Sequence, residues 1–448
     1  MDKVLLEKLA EEGKYESLLQ LTQSGLDDLY VQNMHLFALW KLEFLDEAIQ
    51  KGEQWEHGIG VKIDESVHLF YLRMGTIYTH FGNILKGIDY SKLALSVAEQ
   101  LGNKQSISYA LNNLAFNYYL IGDLQEAEKH CNRSLKISEE ISDSENIASI
   151  SHILGDIYFN YGDYENSLKY YLSTVKFLPT LDGSLTLLTC QVSICNLYFE
   201  IGDQERAKDT FEQITESYKK LGTEIELTNS FYDVINLIGL YVYLGDSTSA
   251  QEYLSKLQDF SSLHPYKPFQ LAYLYAEGIY HKSRDRLKEK VQAVKMFKEI
   301  INNFDIRFDY TIKSMFHLVD LLLFEFKMSN DISVKNEILY YVDQIRNFAK
   351  KQDLISYVIK SNIIEAKFFE IDGEIEKAEE YYLHSMNLLK QLNLNLLLKT
   401  VVSEYNHFHE NIVNISNLVK QNATLSERIE ASKIEEYLEL VRGLKESK

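Results

Sequence analysis

Small residues, tyrosines and glycines recur along this chain with a spacing of 40 residues. Three sets keep this spacing over four copies: Gly75, Ala115, Gly155 and Cys195; Tyr78, Tyr118, Tyr158 and Tyr198; Gly82, Gly122, Gly162 and Gly202. Three residue types in one phase over four copies are hard to obtain by chance. A period of this length predicts a solenoid of stacked repeats and argues against a compact multidomain enzyme.

Each repeat has the pattern of two helices joined by a tight turn. Leu114 and Tyr118 lie on one face of a first helix, and Gly122 ends it because glycine adopts the left-handed conformation without steric cost. Asp123 caps the next helix, with Glu126 three residues on as in a capping box. Only 3 Pro and 20 Gly occur in 448 residues, too few turn residues for an all-β fold. We therefore predict an all-α fold of about eight or nine helix pairs.

The clarity of the repeat divides the chain into four predicted segments. Residues 1–60 are two shorter, degenerate helix pairs, and 61–262 are the regular repeats. Residues 263–392 are divergent repeats, within which 310–348 form a helix pair without the signature, and 393–448 are capping helices. The prolines near residue 265 mark either a bend between two lobes or a longer loop.

These positions resemble the signature of the tetratricopeptide-repeat family, in which a small residue follows Leu and Tyr comes three residues later. The 40-residue period is longer than the usual one of about 34 and is similar to the extended subclass found in kinesin light chains and spindle-orientation adaptors. The resemblance covers about 66–392. It implies a right-handed α-solenoid that acts as a scaffold for protein–protein interaction.

The resemblance also implies which residues line the concave groove, namely those two before and one after the small residue of each first helix. The candidates for peptide contact at or beside these positions are Arg73, Thr76, His80, Asn113, Phe116, Asn117, Asp156, Asn160, Ser193, Asn196 and Asn236. Asn113 and Asn236 match the groove asparagines that the extended subclass uses. A side-chain amide both donates and accepts hydrogen bonds, so it suits the backbone of an extended peptide.

The residues that carry chemistry form no constellation in this sequence. There is no glycine-rich phosphate loop, and His407 and His409 are two residues apart, on opposite sides of a helix. Cys131, Cys190 and Cys195 include no Cys-x-x-Cys pair, which favours buried thiols in a reducing compartment. We predict no catalytic residue, no metal and no cofactor, and hence a protein that is not an enzyme.

The net charge of −20 argues against nucleic acid or an anionic membrane as a partner, because the overall field repels both. The acidic N-terminus lacks a signal-peptide pattern, and no apolar run is long enough to insert in a membrane, so we predict a cytoplasmic protein. One basic stretch, from Lys282 to Lys298, is either a docking site for an acidic segment or a solvated helix face.

We predict a non-enzymatic adaptor that binds an extended peptide or a helix of a partner protein in its concave groove. The alternative is a regulatory sensor of a short signalling peptide, similar to bacterial peptide-pheromone receptors. The sensor predicts tight binding of a free peptide of under about ten residues, whereas the adaptor predicts a protein partner. The sequence leaves the oligomeric state open.

Overall fold

The computed structural model describes residues 2–60, 63–178, 185–221, 234–239, 241–242, 245–303 and 308–441. Within these ranges every regular element is an α-helix, and consecutive helices pack together between residues 3 and 221 and again between residues 247 and 441. The predicted all-α solenoid of helix pairs is therefore confirmed.

Two short helix pairs begin the chain. They are α1 (Lys3–Glu11), α2 (Tyr15–Thr22), α3 (Leu29–Lys41) and α4 (Leu45–Glu56). The core of the first pair is small and centres on Leu6 and Leu18. The second pair shares its apolar side chains with the following helix, so the core continues into the regular repeats.

The regular repeats follow with helices of nearly constant length. They are α5 (Glu65–Phe81), α6 (Ile84–Leu101), α7 (Lys104–Ile121), α8 (Leu124–Ile141), α9 (Ser144–Tyr161), α10 (Tyr164–Phe177), α11 (Leu185–Glu200) and α12 (Gln204–Leu221). Gly122 ends α7 with φ of 83°, and the Asp123 side chain accepts the Glu126 amide, as predicted. The Glu126 carboxylate pairs with Lys129 rather than completing a capping box.

In most regular repeats, two aromatic residues that are twelve positions apart in the sequence pack against each other between the two helices. Tyr78 stacks on Tyr90, Tyr158 on Tyr170 and Tyr241 on Tyr253, with ring centroids 5.3, 5.4 and 5.7 Å apart. His130 occupies the equivalent place against Tyr118. The repeated tyrosines thus pack between helices, as their fixed phase predicts, and the second ring of each pair is a feature that the sequence analysis missed.

The rest of the chain continues the solenoid, first with two helices of the last regular repeat and then with less regular helices. A helical stretch at 234–239, here α13, is followed by α14 (Ser247–Leu263), α15 (Lys267–Lys282), α16 (Leu287–Ile301), α17 (Phe308–Ser329), α18 (Ile332–Lys351), α19 (Ile355–Asp372) and α20 (Ile375–Gln391). The α17–α18 pair confirms the helix pair predicted at 310–348. The prolines lie in and just after a short connection, with Pro268 in the first turn of α15.

Three helices close the C-terminal end: α21 (Asn395–Lys420), α22 (Leu425–Ser432) and α23 (Ile434–Val441). Thr424 and Glu427 form the predicted capping box at the start of α22. Lys367 of α19 is buried and donates to the Ser432 carbonyl at 3.0 Å, while its ammonium lies 2.8 Å from Glu404. These polar contacts bind the last helices to the body of the solenoid.

The solenoid closes on itself, because helices ten places apart in the chain pack together. Helix α5 contacts α15, α7 contacts α17 and α9 contacts α19, so about five repeats complete one turn. The glycines of the repeat form this contact: a Cβ added at Gly82 would lie 2.8 Å from Pro268, and one at Gly162 would lie 2.8 Å from Leu397. A larger residue at either position would push the two turns apart.

Candidate functional site

A cavity of about 180 Å³ lies where the two turns of the solenoid face each other. One wall comes from the regular repeats, with side chains from α9, α11 and α13. The opposite wall comes from the second half of the chain, with side chains from α15, α17 and α19. The cavity therefore exists only because the solenoid closes on itself.

The wall from the regular repeats carries five of the predicted groove residues: Asp156, Asn160, Ser193, Asn196 and Asn236. Asn160 is buried and donates to the Asp156 carbonyl at 2.7 Å. Asn196 and Asn236, 40 residues apart, are partly exposed and make no hydrogen bond with any other described residue. Their amides are thus available to a ligand as both donors and acceptors.

The wall from the second half adds charged and aromatic groups. Asp309, Lys313 and His317 all lie on α17 and line the cavity. His317 is held by neighbours, since Tyr275 Oη and Lys282 Nζ lie 3.4 and 3.3 Å from its ring nitrogens. Lys313 is exposed and forms no ion pair with a described residue, so it is the cation of this wall that a ligand can reach.

A buried ion pair crosses between the two walls. Lys360 Nζ of α19 lies 2.5 Å from Glu200 Oε1 at the end of α11, and both side chains are less than a tenth exposed. Tyr164 Oη donates to the other carboxylate oxygen of Glu200 at 3.3 Å. The two charges neutralise each other, so the pair contributes little net charge to the cavity. The pair also links α11 to α19.

The tyrosines of the cavity stay neutral over the whole physiological range. Burial raises the pKa of Tyr357, and the nearby carboxylates of Asp309, Glu200 and Asp156 raise it further. Burial and Asp156, which accepts a hydrogen bond from Tyr171 Oη at 2.7 Å, likewise raise the pKa of Tyr171. The neutral rings offer apolar surface to a ligand, while the Tyr171 hydroxyl already donates a hydrogen bond to Asp156.

The predicted residues of the earlier repeats do not line this cavity. Asn113 is engaged within the chain: its Nδ2 donates to Thr76 Oγ1 at 2.8 Å, and its Oδ1 accepts from Ser91 Oγ at 2.7 Å and Asn117 Nδ2 at 3.0 Å. Asn117 is fully buried and also accepts from Thr79 Oγ1 at 2.5 Å. These amides form a polar network between α5, α6 and α7.

Arg73, His80 and Phe116 lie in the first repeats and do not line this cavity. The Arg73 guanidinium lies 5.1 Å from the Phe37 ring, and burial lowers its pKa to about 10. The His80 ring packs edge-on against Trp40, and burial lowers its pKa to about 4. Phe116 is 41% exposed, so it remains available for contact with a partner.

Glu43 is a buried carboxyl beside His80, with its Oε1 3.9 Å from the His80 Nδ1 and its Oε2 without a hydrogen bond from any described residue. Burial raises its pKa from 4.5 to about 8, so folding favours the protonated acid. Its contribution to stability is present below pH 4.5 and is lost as the pH rises towards 8.

We expect Glu43→Gln to be more stable than wild type at pH 8 by more than about 1 kcal/mol and nearly equal to it at pH 4.5. The reason is that glutamine keeps the shape of the acid and cannot ionise. Urea denaturation at both pH values measures this difference, with the exposed Glu11→Gln as the control. A Glu43→Gln gain that is the same at both pH values would contradict the assignment.

The residues that the second half contributes to the cavity were not predicted from the sequence. Asp309, Lys313 and Lys360 lie in the divergent part of the chain, 263–392, at positions that the groove pattern of the regular repeats does not mark. The repeat pattern could have identified Glu200, because this residue lies 40 positions after the predicted groove residue Asn160, in the same phase of the repeat. The predicted buried state of Cys131, Cys190 and Cys195 is confirmed.

No group of three or more metal-ligating side chains occurs in the part of the chain that the structure describes. Among the described helices, none has the length and apolar character that crossing a lipid bilayer requires.

Models of the tetratricopeptide repeat match residues 67–140, 106–180 and 196–220. A comparison with the sequences of curated proteins found no significant match.

Several solved structures have a backbone that follows a similar path. A Rap protein complexed with the competence and sporulation factor is 14% identical, with 94% of this chain and 97% of that chain covered and a TM-score of 0.45. The Rap conjugation regulator of plasmid pLS20, in complex with the Phr* peptide, is 15% identical over 73% and 78%, with a TM-score of 0.44. Human IFIT1 with m7Gppp-AAAA is 13% identical over 95% and 94%, with a TM-score of 0.40.

The matching models show that residues 67–180 and 196–220 consist of tetratricopeptide repeats, and helix pairs of the same kind continue along the chain on both sides of them.

Proposed function

We propose that this protein is a non-enzymatic interaction scaffold whose central cavity binds a short extended stretch of polypeptide. The observation that supports this most is the pair Asn196 and Asn236, which lie in successive repeats and both line one cavity. Two amides in such an arrangement hydrogen-bond a peptide backbone whatever its side chains are. The tyrosines around them offer apolar surface to those side chains.

The size of the cavity limits what enters it. A volume of about 180 Å³ is below the roughly 300–1,000 Å³ of a site for a drug-sized ligand. A few residues of a peptide therefore fit, and a long segment or a whole helix does not fit unless the turns separate. The binding stretch is either one end of a partner protein's segment or a short peptide.

Enclosure of the cavity by α17 and α19 favours a second candidate, the sensor of a free short peptide. A ligand that bridges both walls would change the balance between closed and open solenoid. The adaptor and the sensor thus share one site and differ in the length of the ligand. We extend the proposed contact surface to the inner residues of the earlier repeats, of which Phe116 is the most exposed large one.

We expect the double variant Asn196→Ala and Asn236→Ala to weaken ligand binding by about tenfold or more, since two hydrogen bonds to the ligand are lost. The protein serves as bait in a lysate of its source, and mass spectrometry identifies both captured proteins and captured peptides of under about ten residues. Calorimetry with the identified ligand then gives the affinity of each variant.

The exposed pair Asn132→Ala and Asn414→Ala is the matched control, because both lie on helix surfaces outside the cavity. A captured protein supports the adaptor and a captured short peptide supports the sensor. A ligand that binds the cavity variant and the control equally well contradicts the proposed site. Loss of binding in Asn113→Ala alone would move the site to the earlier repeats.

A further inference from the structure

An exposed apolar surface lies on the side of α16, α17 and α18, away from the central cavity. Its large side chains are Leu287, Val291, Phe324, Met328 and Ile332, of which Leu287, Met328 and Ile332 are 67, 76 and 63% exposed. Single exposed apolar residues are ordinary, but a group of this kind on neighbouring helices marks an interaction surface.

The packing of the helices brings these side chains to one end of the solenoid wall. Helix α16 begins at Leu287, α17 ends at Ser329 and α18 begins at Ile332, and α17 packs against both of its neighbours. The contact between the start of α16 and the end of α17 is direct, since Lys290 Nζ lies 5.1 Å from the centre of the Phe324 ring. We call the five apolar residues, together with the cations described next, the α16 patch.

The basic stretch of the sequence forms the charged part of the α16 patch. Of its seven Lys and Arg, Lys282 pairs with Asp320 at 2.5 Å and Lys298 pairs with Glu337 at 2.7 Å. Arg286, Lys288 and Lys295 are exposed, and none of them forms an ion pair with a residue that the structure describes.

Residues 282–298 hold seven Lys and Arg against two acids, Asp285 and Glu289. Glu289, the acid of the first turn of α16, is bound by His281. Helix α16 also begins without a side-chain cap, so the positive end of its dipole adds to the cations. The α16 patch is therefore locally basic on a chain of net charge −20, and it combines this charge with apolar surface.

We propose that the α16 patch docks an acidic amphipathic segment of a partner protein. The apolar residues of the segment cover Leu287, Val291 and Met328, and its carboxylates reach Arg286, Lys288 and Lys295. Charge complementarity across such a surface selects the partner and speeds the encounter, while the apolar contacts hold it. This surface is separate from the cavity of the proposed function and does not depend on it.

The charge of the whole chain favours a short acidic segment over a larger polyanion. A nucleic acid or an anionic membrane extends well beyond the α16 patch and meets the field of a protein of net charge −20. A short segment stays within the patch, because charges farther away than a Debye length of about 8–10 Å are screened. The phosphate backbone of a nucleic acid also offers no aliphatic group to cover the exposed side chains.

The test is a selection from a displayed random library of peptides of about twelve residues. Phage that bind the triple variant Arg286→Glu, Lys288→Glu and Lys295→Glu are first removed, which depletes ligands of the cavity. The wild type then selects from the rest. We expect enrichment of Asp and Glu interleaved with Leu, Ile, Phe or Met, and fluorescence anisotropy with a synthesised enriched peptide then measures affinity.

The triple variant should bind that peptide at least about tenfold more weakly, and added salt should weaken binding to wild type. Leu287→Ser with Met328→Ser should give a similar loss. The matched control is Lys136→Glu, Lys208→Glu and Lys399→Glu, which changes the net charge equally on exposed helix surfaces and should bind as wild type does.

Three results would overturn the proposal. The first is a selection without enrichment or with enriched sequences that are not acidic. The second is equal affinity of the two triple variants. The third is binding to vesicles of anionic lipid or to a single-stranded RNA that is tighter than binding to the enriched peptide, since the partner would then belong to another class. The cavity variant Asn196→Ala with Asn236→Ala keeps full affinity for the peptide if the two sites are separate.

Discussion

Replacing Lys360 by Met should destabilise the protein by about 3–5 kcal/mol, the largest effect that we expect of any single substitution outside the apolar core. Methionine fills much the same volume, but it leaves the Glu200 carboxylate buried without its partner at 2.5 Å. The cost is that of an uncompensated charge in a site from which water is excluded. Urea denaturation followed by circular dichroism measures it.

The double variant Lys360→Met with Glu200→Leu separates this charge effect from simple loss of packing. It should recover most of the stability, because a well-packed apolar pair often replaces a buried ion pair without cost. Lys104→Met is the surface control, since its ion pair with Glu140 is about half exposed and should be worth at most about 1 kcal/mol. A Lys360→Met cost as small as that of Lys104→Met would mean that the turns do not close as described.

Gly155→Ala should destabilise the protein by about 2–3 kcal/mol, although alanine is the better helix former. A Cβ at this position would lie well inside van der Waals contact of the Tyr171 ring. That ring is almost fully buried and hydrogen-bonded to Asp156, so it has no room to move aside. The same denaturation experiment measures the change.

Gly239→Ala is the matched control, because that glycine is also helical and an added Cβ meets nothing within 4 Å. It should be neutral or stabilise by about 0.5–1 kcal/mol. The double variant Gly155→Ala with Tyr171→Leu replaces the neighbouring ring by a smaller side chain, and it should recover part of the lost stability. If Gly155→Ala were as stable as Gly239→Ala, the close contact of α9 and α10 would not explain why a small residue recurs at this place.

The local pattern was sufficient to predict the repeat and much of one cavity wall. Periodicity, left-handed glycines and capping aspartates are local features, and they were enough to predict the helix pairs and to name Asn196 and Asn236 as residues that line a shared surface. Contacts between turns join residues that are far apart in the chain, such as Glu200 and Thr400, which are 200 positions apart, and no short-range pattern encodes them.

The glycines show how one residue serves two purposes, of which only one is visible in the sequence. Gly122 was predicted from its helix-ending role, which needs only a positive φ. The structure adds that a Cβ there would lie 3.2 Å from both Phe308 and Phe348 of the next turn. Because those partners lie in the divergent half of the chain, the second role and the cavity it encloses emerge only in three dimensions.

Closure after about five repeats also has a consequence for how such a chain can evolve. An open solenoid gains or loses a repeat at little cost, since each unit touches only its neighbours. Here the deletion of one 40-residue unit would place α9 against helices other than α19, and the glycine contacts, the Glu200–Lys360 pair and both cavity walls would fall out of register together. The fold therefore fixes the number of repeats between the two cavity walls. Differences in chain length among relatives should be confined to the connections between helices and to the two ends of the solenoid.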